Sequence, residues 1–344
     1  MIRLLLVAVL ASLAVAAPAA PGDTPLFASS DLLRLTIKGP VSSIARSRSR
    51  VPQPGTLTVT GTADSFPVML SARGLTRRQA DICQFPPLKV QFPSDPPPQS
   101  LFAGQKSLKL VSHCRNPAPF QQYVLLEYAT YRMFNALSPA SFKVRLAQID
   151  YVDDSGKPVI TRYGFFIEDL SDVARRNGMQ QARLPERISE TSLSQRHAAL
   201  YALFQHMIAN HDWSMRAGPA GEECCHNAQM ISPARGVAAG AIPIPYDFDF
   251  SGLVNTPYAA PPDLLKLSSV RQRQYRGYCI HNNAALAAAV QFRASKPAML
   301  AALNDTPGLD DRTKARAAAF LEGFFADIAT DEALRSKVLR SCLK

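Results

Sequence analysis

The hydrophobic pattern of this chain changes its period near residue 120, and this change restricts the possible folds most strongly. Before it, apolar residues alternate or form short runs between turn signals, as in 33–37, 57–59 and 108–111, which is typical of strands. After it, residues 120–137 are apolar over much of a helical surface, and a Ser-Pro pair at 138–139 ends that helix. The sequence therefore predicts a strand-rich N-terminal part that holds one helix.

The rest of the chain is predicted to begin with a hairpin and then to become mostly helical. Two strand-like runs, at 142–151 and 159–167, flank the turn sequence Asp153-Asp154-Ser155-Gly156. Helical periodicity then appears at 191–209, 283–303, 311–328 and 331–341, and short strand-like pieces lie at 228–231 and 241–246. This pattern predicts an α+β fold with two lobes and a boundary near Glu168.

The first twenty residues have the pattern of a cleavable export signal. Arg3 precedes the apolar run 4–15, and small residues and Pro21-Gly22 follow that run. An uncleaved N-terminal anchor is the alternative interpretation. No later run has about 18 uncharged apolar residues, so we expect no transmembrane segment after cleavage. The predicted division is 1–20 signal peptide, 21–167 strand-rich N-lobe and 168–344 helical C-lobe, in a secreted or periplasmic protein.

The charge of the chain indicates what its surface attracts. The formal net charge is +11, but the basic residues are scattered and no aromatic ladder accompanies them. A nucleic-acid module concentrates its Lys and Arg on one face. We therefore expect a surface that attracts anions or an anionic envelope, and no specific nucleic-acid partner.

Six cysteines in an exported chain indicate disulfides. We expect Cys83 to pair with Cys114 and Cys279 with Cys342, so that each bridge stays within one lobe. The vicinal Cys224-Cys225 is followed directly by His226, so a zinc site is the rival interpretation of that segment. The C-x2-C spacing common in structural zinc sites is missing there.

Glu127 is the first residue with candidate chemistry, because its helical neighbours are mostly apolar. A partly buried carboxylate needs a cationic partner to stay ionised. Lys109 on the preceding strand is the candidate partner, with Lys106 in reserve. The alternative is a solvated Glu on an exposed helix face.

Three further carboxylates and one amide complete the candidate set. Asp212 follows the 191–209 helix in Asn-His-Asp-Trp, and Asn227 precedes an apolar piece. Helix capping and turn formation are ordinary roles for both residue types. Asp247 and Asp249 leave an apolar strand in Tyr-Asp-Phe-Asp-Phe-Ser-Gly, where they can converge on one cation such as Mg²⁺.

The order of these residues resembles that of protein-kinase-like folds, in which a strand Lys and a helix Glu precede an Asp, an Asn and an Asp-Phe motif. More closely, residues 68–254 resemble the CotH kinase family, known from spore-coat proteins. The resemblance rests on Val68–Gly74, which ends in Arg-Gly, and on the segments 125–134, 163–168, 210–213, 227 and 245–249.

The resemblance implies a role for each candidate residue. Asp212 would be the catalytic-loop Asp that orients the attacking hydroxyl. Lys109 and Glu127 would form the ion pair that grips ATP. Asn227 and Asp247 would bind Mg²⁺, and Asp249 would be a second metal-binding or structural carboxylate. The implied activity is transfer of phosphate from ATP to an exported protein or an envelope component.

The sequence also departs from the family pattern. Tyr246 replaces the usual Trp, the interval between Asp212 and Asn227 is long, and no Gly-rich phosphate loop is evident. A catalytically inactive, kinase-like binding module of the envelope is therefore a second hypothesis. A third is a metal-dependent hydrolase that uses His211 and His226 together with Asp212 and Asp247.

Overall fold

The computed structural model describes residues 24–344, so the signal segment predicted at 1–20 lies outside the described residues. Within the described range, the N-terminal part is a closed barrel of seven strands in the order β1, β2, β3, β4, β5, β7, β6. The strands are β1 (Leu33–Lys38), β2 (Gln53–Val59), β3 (Ser65–Ala72), β4 (Leu88–Gln91), β5 (Ser107–Val111), β6 (Val144–Val152) and β7 (Pro158–Ile167). Strands at the predicted segments are confirmed, whereas closure into a barrel was not predicted.

Alternation along the strands builds the barrel interior. In β1, Leu33, Leu35 and Ile37 are buried, whereas Arg34, between Leu33 and Leu35, is exposed. β1 pairs in parallel with β6, and the other pairs of neighbouring strands are antiparallel. The β1–β6 pair closes the sheet, so the barrel leaves no free edge. The predicted hairpin is the pair β6–β7.

Helices and a small second sheet form the rest of the described chain. The helices are α1 (Val41–Ser47), α2 (Gln121–Asn135), α3 (Leu170–Arg176), α4 (Gln195–Met207), α5 (Asn282–Asn304), α6 (Asp311–Asp327) and α7 (Asp331–Ala333). The second sheet contains β8 (Gln180–Gln181), β9 (Ala228–Ser232) and β10 (Ile242–Pro245), with β9 in the centre. The expectation of one helix before residue 168 was wrong, because α1 precedes α2.

The predicted helix at 331–341 is also broken. Only one turn, α7, is α-helical, and a π-helical turn (Leu334–Val338) and a 3₁₀ turn (Leu339–Ser341) follow it. Cys342 lies directly after this segment and is bonded to Cys279, which stands before α5. The bridge and the backbone hydrogen bond from Cys279 N–H to Leu343 O hold the chain end near Cys279.

Helix α2 joins the barrel to the helical part. It contacts β6 and β7 on the barrel side and α5 on the other side. Its Phe134 packs edge-on against Phe204 of α4, with ring centroids 4.8 Å apart. Burial on both sides explains why α2 is apolar over most of its circumference. Any charged residue on α2 that faces this junction is therefore taken out of water.

Two of the three cysteine pairs are those that the sequence predicted. Cys83 is bonded to Cys114 and Cys279 to Cys342, and the third pair is the vicinal Cys224–Cys225. These pairs fit an oxidising compartment. Within residues 24–344, no helix is both long and apolar enough to cross a membrane.

Candidate functional site

Asp212 lies in a loop that is fixed against the end of α4. The Trp213 indole N–H donates to Asn210 O at 2.9 Å, and the ring packs edge-on against Tyr201 of α4. The Arg276 guanidinium lies over the other part of the indole, 4.9 Å from the ring centroid. Trp213 therefore anchors the loop, and the neighbouring Asp212 side chain keeps 38% of its surface exposed.

Both carboxylate oxygens of Asp212 have hydrogen-bond partners. His226 Nε2 lies 2.7 Å from Oδ1, and Asn227 Nδ2 donates to Oδ2 at 2.9 Å. Asn227 Nδ2 also reaches the backbone oxygen of Asp212 at 2.7 Å. The hydrogen bond to Asp212 raises the pKa of His226, because it favours the charged imidazolium. We call Asp212, His226 and Asn227 the Asp212 wall.

Asp247 and Asp249 are positioned by the buried Phe248 between them. Phe248 is fully buried against Tyr131 of α2 and Phe204 of α4. The backbone N–H of Asp247 donates to the Tyr131 hydroxyl at 2.8 Å. These contacts turn both carboxylates toward the barrel, where they meet a residue from the loop after β3.

That residue is Arg77, whose guanidinium contacts three carboxylates. NH1 lies 2.9 Å from Glu127 Oε2, NH2 lies 2.6 Å from Asp247 Oδ1, and Nε lies 3.3 Å from Asp249 Oδ2. Tyr258 adds a hydroxyl hydrogen bond to Asp249 at 2.9 Å. We call Arg77, Glu127, Asp247 and Asp249 the Arg77 cluster.

Burial and charge oppose each other in the Arg77 cluster. Burial alone would lower the pKa of Arg77, but the carboxylates of Asp249, Glu127 and Asp247 outweigh it and raise that pKa. Burial raises the pKa of Glu127, while Arg77 acts in the opposite direction. Arg77 is only 8% exposed and Glu127 only 1%. The cluster is therefore a network in which one buried cation serves two buried acids and the partly exposed Asp247.

The prediction that Glu127 is buried and needs a cation is confirmed, but its predicted partner is wrong. Arg77 is the cationic partner, and no ion pair joins Lys109 to Glu127 anywhere in residues 24–344. Lys109 instead points out of the barrel from β5, with its Nζ 6.0 Å from the centroid of the Phe142 ring. Lys106, the reserve candidate, is exposed.

Lys109 belongs to a group of three cations in the barrel wall. It stands directly opposite Lys89 of β4 in the antiparallel register, and Arg73 follows β3. These cations line a cavity of about 370 Å³ together with Ser107, Ile167 and Asp169. Burial lowers the pKa of Lys109, and the charges of Arg73 and Lys89 lower it further. An anion placed here would relieve this repulsion.

A second cavity, of about 270 Å³, brings the other predicted residues together. Its lining includes four of them, Asp212, Asn227, Asp247 and Asp249, together with His226, Cys225, Arg77 and Arg73. Glu127 lies beneath this lining and reaches it only through Arg77. Arg73 lines both cavities, so the cations and the carboxylates face adjoining spaces.

Volume alone does not identify this site. A cavity of about 410 Å³ lies elsewhere, around Arg132 and Arg176, and its lining contains no carboxylate. It therefore lacks a group that could accept a proton or bind a hard cation. A larger cavity, of about 680 Å³, has only two carboxylates in its lining, Asp31 and Asp305. The cavity of about 270 Å³ has four, Asp212, Glu222, Asp247 and Asp249, so the chemistry of its lining selects it.

The residues of the hydrolase hypothesis do not all meet. His226, Asp212 and Asp247 line the cavity, but His211 is buried elsewhere, with its Nε2 2.8 Å from Gln272 O. Cys224 and Cys225 are bonded to each other. Within residues 24–344, the acids close enough together to share a metal ion are Glu127, Asp247 and Asp249.

Sequence reasoning missed Arg77. Its signal was available in Arg73-Gly74-Leu75-Thr76-Arg77, where a second Arg follows the Arg-Gly pair by three residues. Its partners, however, lie 50 and 170 residues away in the chain. His226 was considered only as a metal ligand, whereas in the structure it contacts the carboxylate of Asp212.

Comparisons with known proteins give little further information. No family model matches the sequence, and no curated protein matches it. Among solved structures, the chain is similar to the crystal structure of a Helicobacter pylori proinflammatory kinase, CtkA. The two share 8% identity over 73% of this chain and 92% of that chain, with a TM-score of 0.39. A likeness this distant carries no argument, so the function is argued from the site itself.

Proposed function

We propose that this chain is an ATP-dependent phosphotransferase with a protein-kinase-like site, similar to the CotH kinase family. One observation carries the proposal. Asp212, Asn227, Asp247 and Asp249 line one cavity, which shares Arg73 with the adjoining cavity of Lys89 and Lys109. Phosphoryl transfer needs a group that positions the acceptor, ligands for Mg²⁺, and cations for the phosphates.

Asp212 is suited to position the acceptor hydroxyl. Its carboxylate is more than a third exposed, lines the cavity, and is restrained by His226 and Asn227. In the proposed step, the acceptor oxygen forms a bond to the terminal phosphorus as the bond to ADP breaks. The hydroxyl proton passes to the Asp212 carboxylate. Positioned acid–base groups of this kind contribute about 10²- to 10⁴-fold to rate.

The cations of the barrel wall are suited to the phosphates. Lys89 and Lys109 face each other across β4 and β5, and the Arg73 side chain makes no hydrogen bond or ion pair within the described part of the chain. Only Asp169 opposes them in the lining of that cavity. A polyphosphate bound here would therefore meet an excess of positive charge.

The residues present also fit one Mg²⁺ ion. In residues 24–344, no hydrogen bond occupies Asn227 Oδ1 or Asp247 Oδ2, although the other polar atoms of both side chains are engaged. These are oxygen ligands of the kind that Mg²⁺ prefers. Bound between these residues and a nucleotide, Mg²⁺ would offset negative charge on the phosphate oxygens.

The acceptor is proposed to be an exported protein or an envelope component. The three cysteine pairs fit an oxidising compartment, in agreement with the export signal predicted at 1–20. A kinase outside the cytosol needs a source of ATP there.

A second candidate function, an inactive binding module, is favoured by one observation. Arg77 already lies among the three acids, where a kinase-like site would gather its cations. In that case the cavity would bind a ligand without transferring phosphate. The two functions require the same fold, but only the phosphotransferase turns over ATP.

The two functions can be distinguished by incubating the mature chain with γ-³²P-labelled ATP, Mg²⁺ and envelope extract. Transfer predicts a labelled product that disappears in Asp247→Ala and persists in Asp154→Asn, since Asp154 is an exposed turn residue remote from the cavity. No label above the Asp247→Ala background would overturn the proposal. Nucleotide binding without label would favour the binding module.

A further inference from the structure

The Arg77 cluster has the composition of a metal site but contains a guanidinium. One oxygen from each of Glu127, Asp247 and Asp249 lies within 4.8 Å of the others, close enough to share an ion. The nitrogens of Arg77 reach all three acids, at 2.9 Å, 2.6 Å and 3.3 Å, and NH2 also donates to the second oxygen of Glu127 at 3.4 Å. The three acids therefore already share a cation that the chain itself supplies.

This cation is permanent under ordinary conditions. A guanidinium does not lose its proton in proteins, and its planar fork matches carboxylates better than a point charge does. A Mg²⁺ ion needs oxygen ligands at about 2.0–2.1 Å in octahedral geometry, which the guanidinium nitrogens obstruct. Arg77 and a metal ion cannot occupy this position together.

The backbone that carries Arg77 is also held in place. Arg77 lies in a short 3₁₀ turn, Thr76–Arg78, between β3 and β4. Cys83, five residues after the end of this turn, is bonded to Cys114. The backbone oxygen of Cys83 also accepts a hydrogen bond from Arg48 at 2.9 Å. Withdrawal of Arg77 would have to move this tethered segment and leave three acids, of which Glu127 and Asp249 are buried, without a cation.

The oxygens that remain for a cation lie on one side of the cluster. Asp247 uses Oδ1 for Arg77 and leaves Oδ2, while Asn227 uses Nδ2 for Asp212 and leaves Oδ1. Both residues line the cavity, but Glu127 does not. Asp249 also lines the cavity, but it is only 2% exposed, and its Oδ2 already receives both Arg77 Nε and the Tyr258 hydroxyl.

We infer that this site takes a single divalent cation, at Asn227 and Asp247, and that Arg77 supplies the charge of a second. The inference rests on the proposed function and limits it, because many phosphotransferases use two ions. It also gives Arg77 a role as a positioning residue. By holding Asp247 through Oδ1, Arg77 directs Oδ2 toward the nucleotide side.

The number of bound divalent cations can be measured by equilibrium dialysis with Mn²⁺. A non-hydrolysable ATP analogue is present at equal concentration on both sides of the membrane. The mature chain is expected to bind one Mn²⁺, and Arg78→Gln, which changes an arginine next to Arg77, is expected to do the same. Arg77→Gln removes the internal cation and is expected to bind two. Two ions bound to the unchanged chain, or none, would overturn the inference.

A thermal melt shows whether the Arg77→Gln variant is folded. Without its cation, this variant is expected to melt lower than the unchanged chain, and Mn²⁺ should raise its midpoint more than it raises that of the unchanged chain. An equal rise in both would contradict the inference. The labelling experiment separates the two claims. If the unchanged chain binds two ions and yields labelled product, only the single-ion inference is wrong. If it binds one ion and yields no labelled product, only the phosphate-transfer proposal is wrong.

Discussion

The two sides of the cavity differ in how far their charges are removed from water. In the Arg77 cluster, the side chains of Glu127 and Asp249 are 2% and 3% exposed, whereas those of Asp212 and His226 in the Asp212 wall are 38% and 42% exposed. Buried charges are costly unless they are paired, and paired ones are costly to separate. Under the proposed function, the buried Arg77 cluster would therefore support the site, and the more exposed Asp212 wall would take part in the reaction.

Asp247 connects the two sides. One of its oxygens is held by buried Arg77, while its side chain is 41% exposed toward the cavity. Its φ of 62° lies in the left-handed region, which is uncommon for a residue other than Gly. Such strain persists only where the surroundings fix it, and here Phe248 and the Tyr131 hydroxyl do so.

The largest effect is expected on activity, from Asp212→Asn. The amide keeps the shape of the side chain but cannot accept the hydroxyl proton. Phosphate transfer should fall about 10²- to 10⁴-fold, measured as the initial rate with labelled ATP. The thermal midpoint should change little, because the side chain is not deeply buried. A rate within threefold of the unchanged chain would remove Asp212 from the reaction.

The next largest effect is expected on stability, from Arg77→Met. Methionine fills similar space but leaves the buried acids without a cation, so the free energy of unfolding should fall by about 3–5 kcal/mol. Urea unfolding measures this fall. The control Arg78→Met, at a partly exposed neighbour, should stay within about 0.5 kcal/mol. A loss below about 1 kcal/mol for Arg77→Met would contradict the supporting role of the cluster.

Acidification is expected to change the stabilities contributed by His206 and His226 in opposite directions. Burial, and then Arg273, lower the pKa of His206 to about 3. Between about pH 3 and 6.5 the unfolded chain therefore holds a proton that the folded chain does not. This loss of stability in acid approaches about 1.4 kcal/mol per pH unit. His226, whose pKa is raised, contributes stability that is present below pH 6.5 and is lost as the pH rises.

His206→Phe tests this sign. The ring already packs edge-on near Tyr275 and Phe324, so a phenyl ring suits the position. The slope of unfolding free energy against pH between 4 and 6 should become shallower in His206→Phe and stay unchanged in His226→Asn, because the contribution of His226 changes only above about pH 6.5. Equal slopes in His206→Phe and the unchanged chain would refute the assignment.

The smallest effect is expected from Lys89→Met in the barrel wall. Like charges directly opposite in a sheet are unfavourable, so the substitution should stabilise the fold by about 0.2–1 kcal/mol. It should also weaken nucleotide binding by about two- to fivefold, since one of three cations is lost. Titration calorimetry with the ATP analogue measures the binding. Unchanged affinity would place the phosphates elsewhere.

The sequence predicted those parts of the site that local motifs determine. Asp212 follows a helix and Asp247 follows a strand, so periodicity located both residues, and both line one cavity. The partner of Glu127 was not predicted, because Arg77 is 50 residues distant and Lys109 matched the expected order better. Barrel closure was missed for a similar reason, since β1 and β6 are separated by more than a hundred residues.

The most direct test is a crystal structure of the chain with the ATP analogue and Mn²⁺, using the anomalous signal to locate the metal. The account predicts one Mn²⁺ peak next to Asn227 and Asp247. It also predicts phosphates against Lys109 and Arg73, and Arg77 still among its three acids. Nucleotide density outside both cavities, or Mn²⁺ among Glu127, Asp247 and Asp249 with Arg77 displaced, would contradict it.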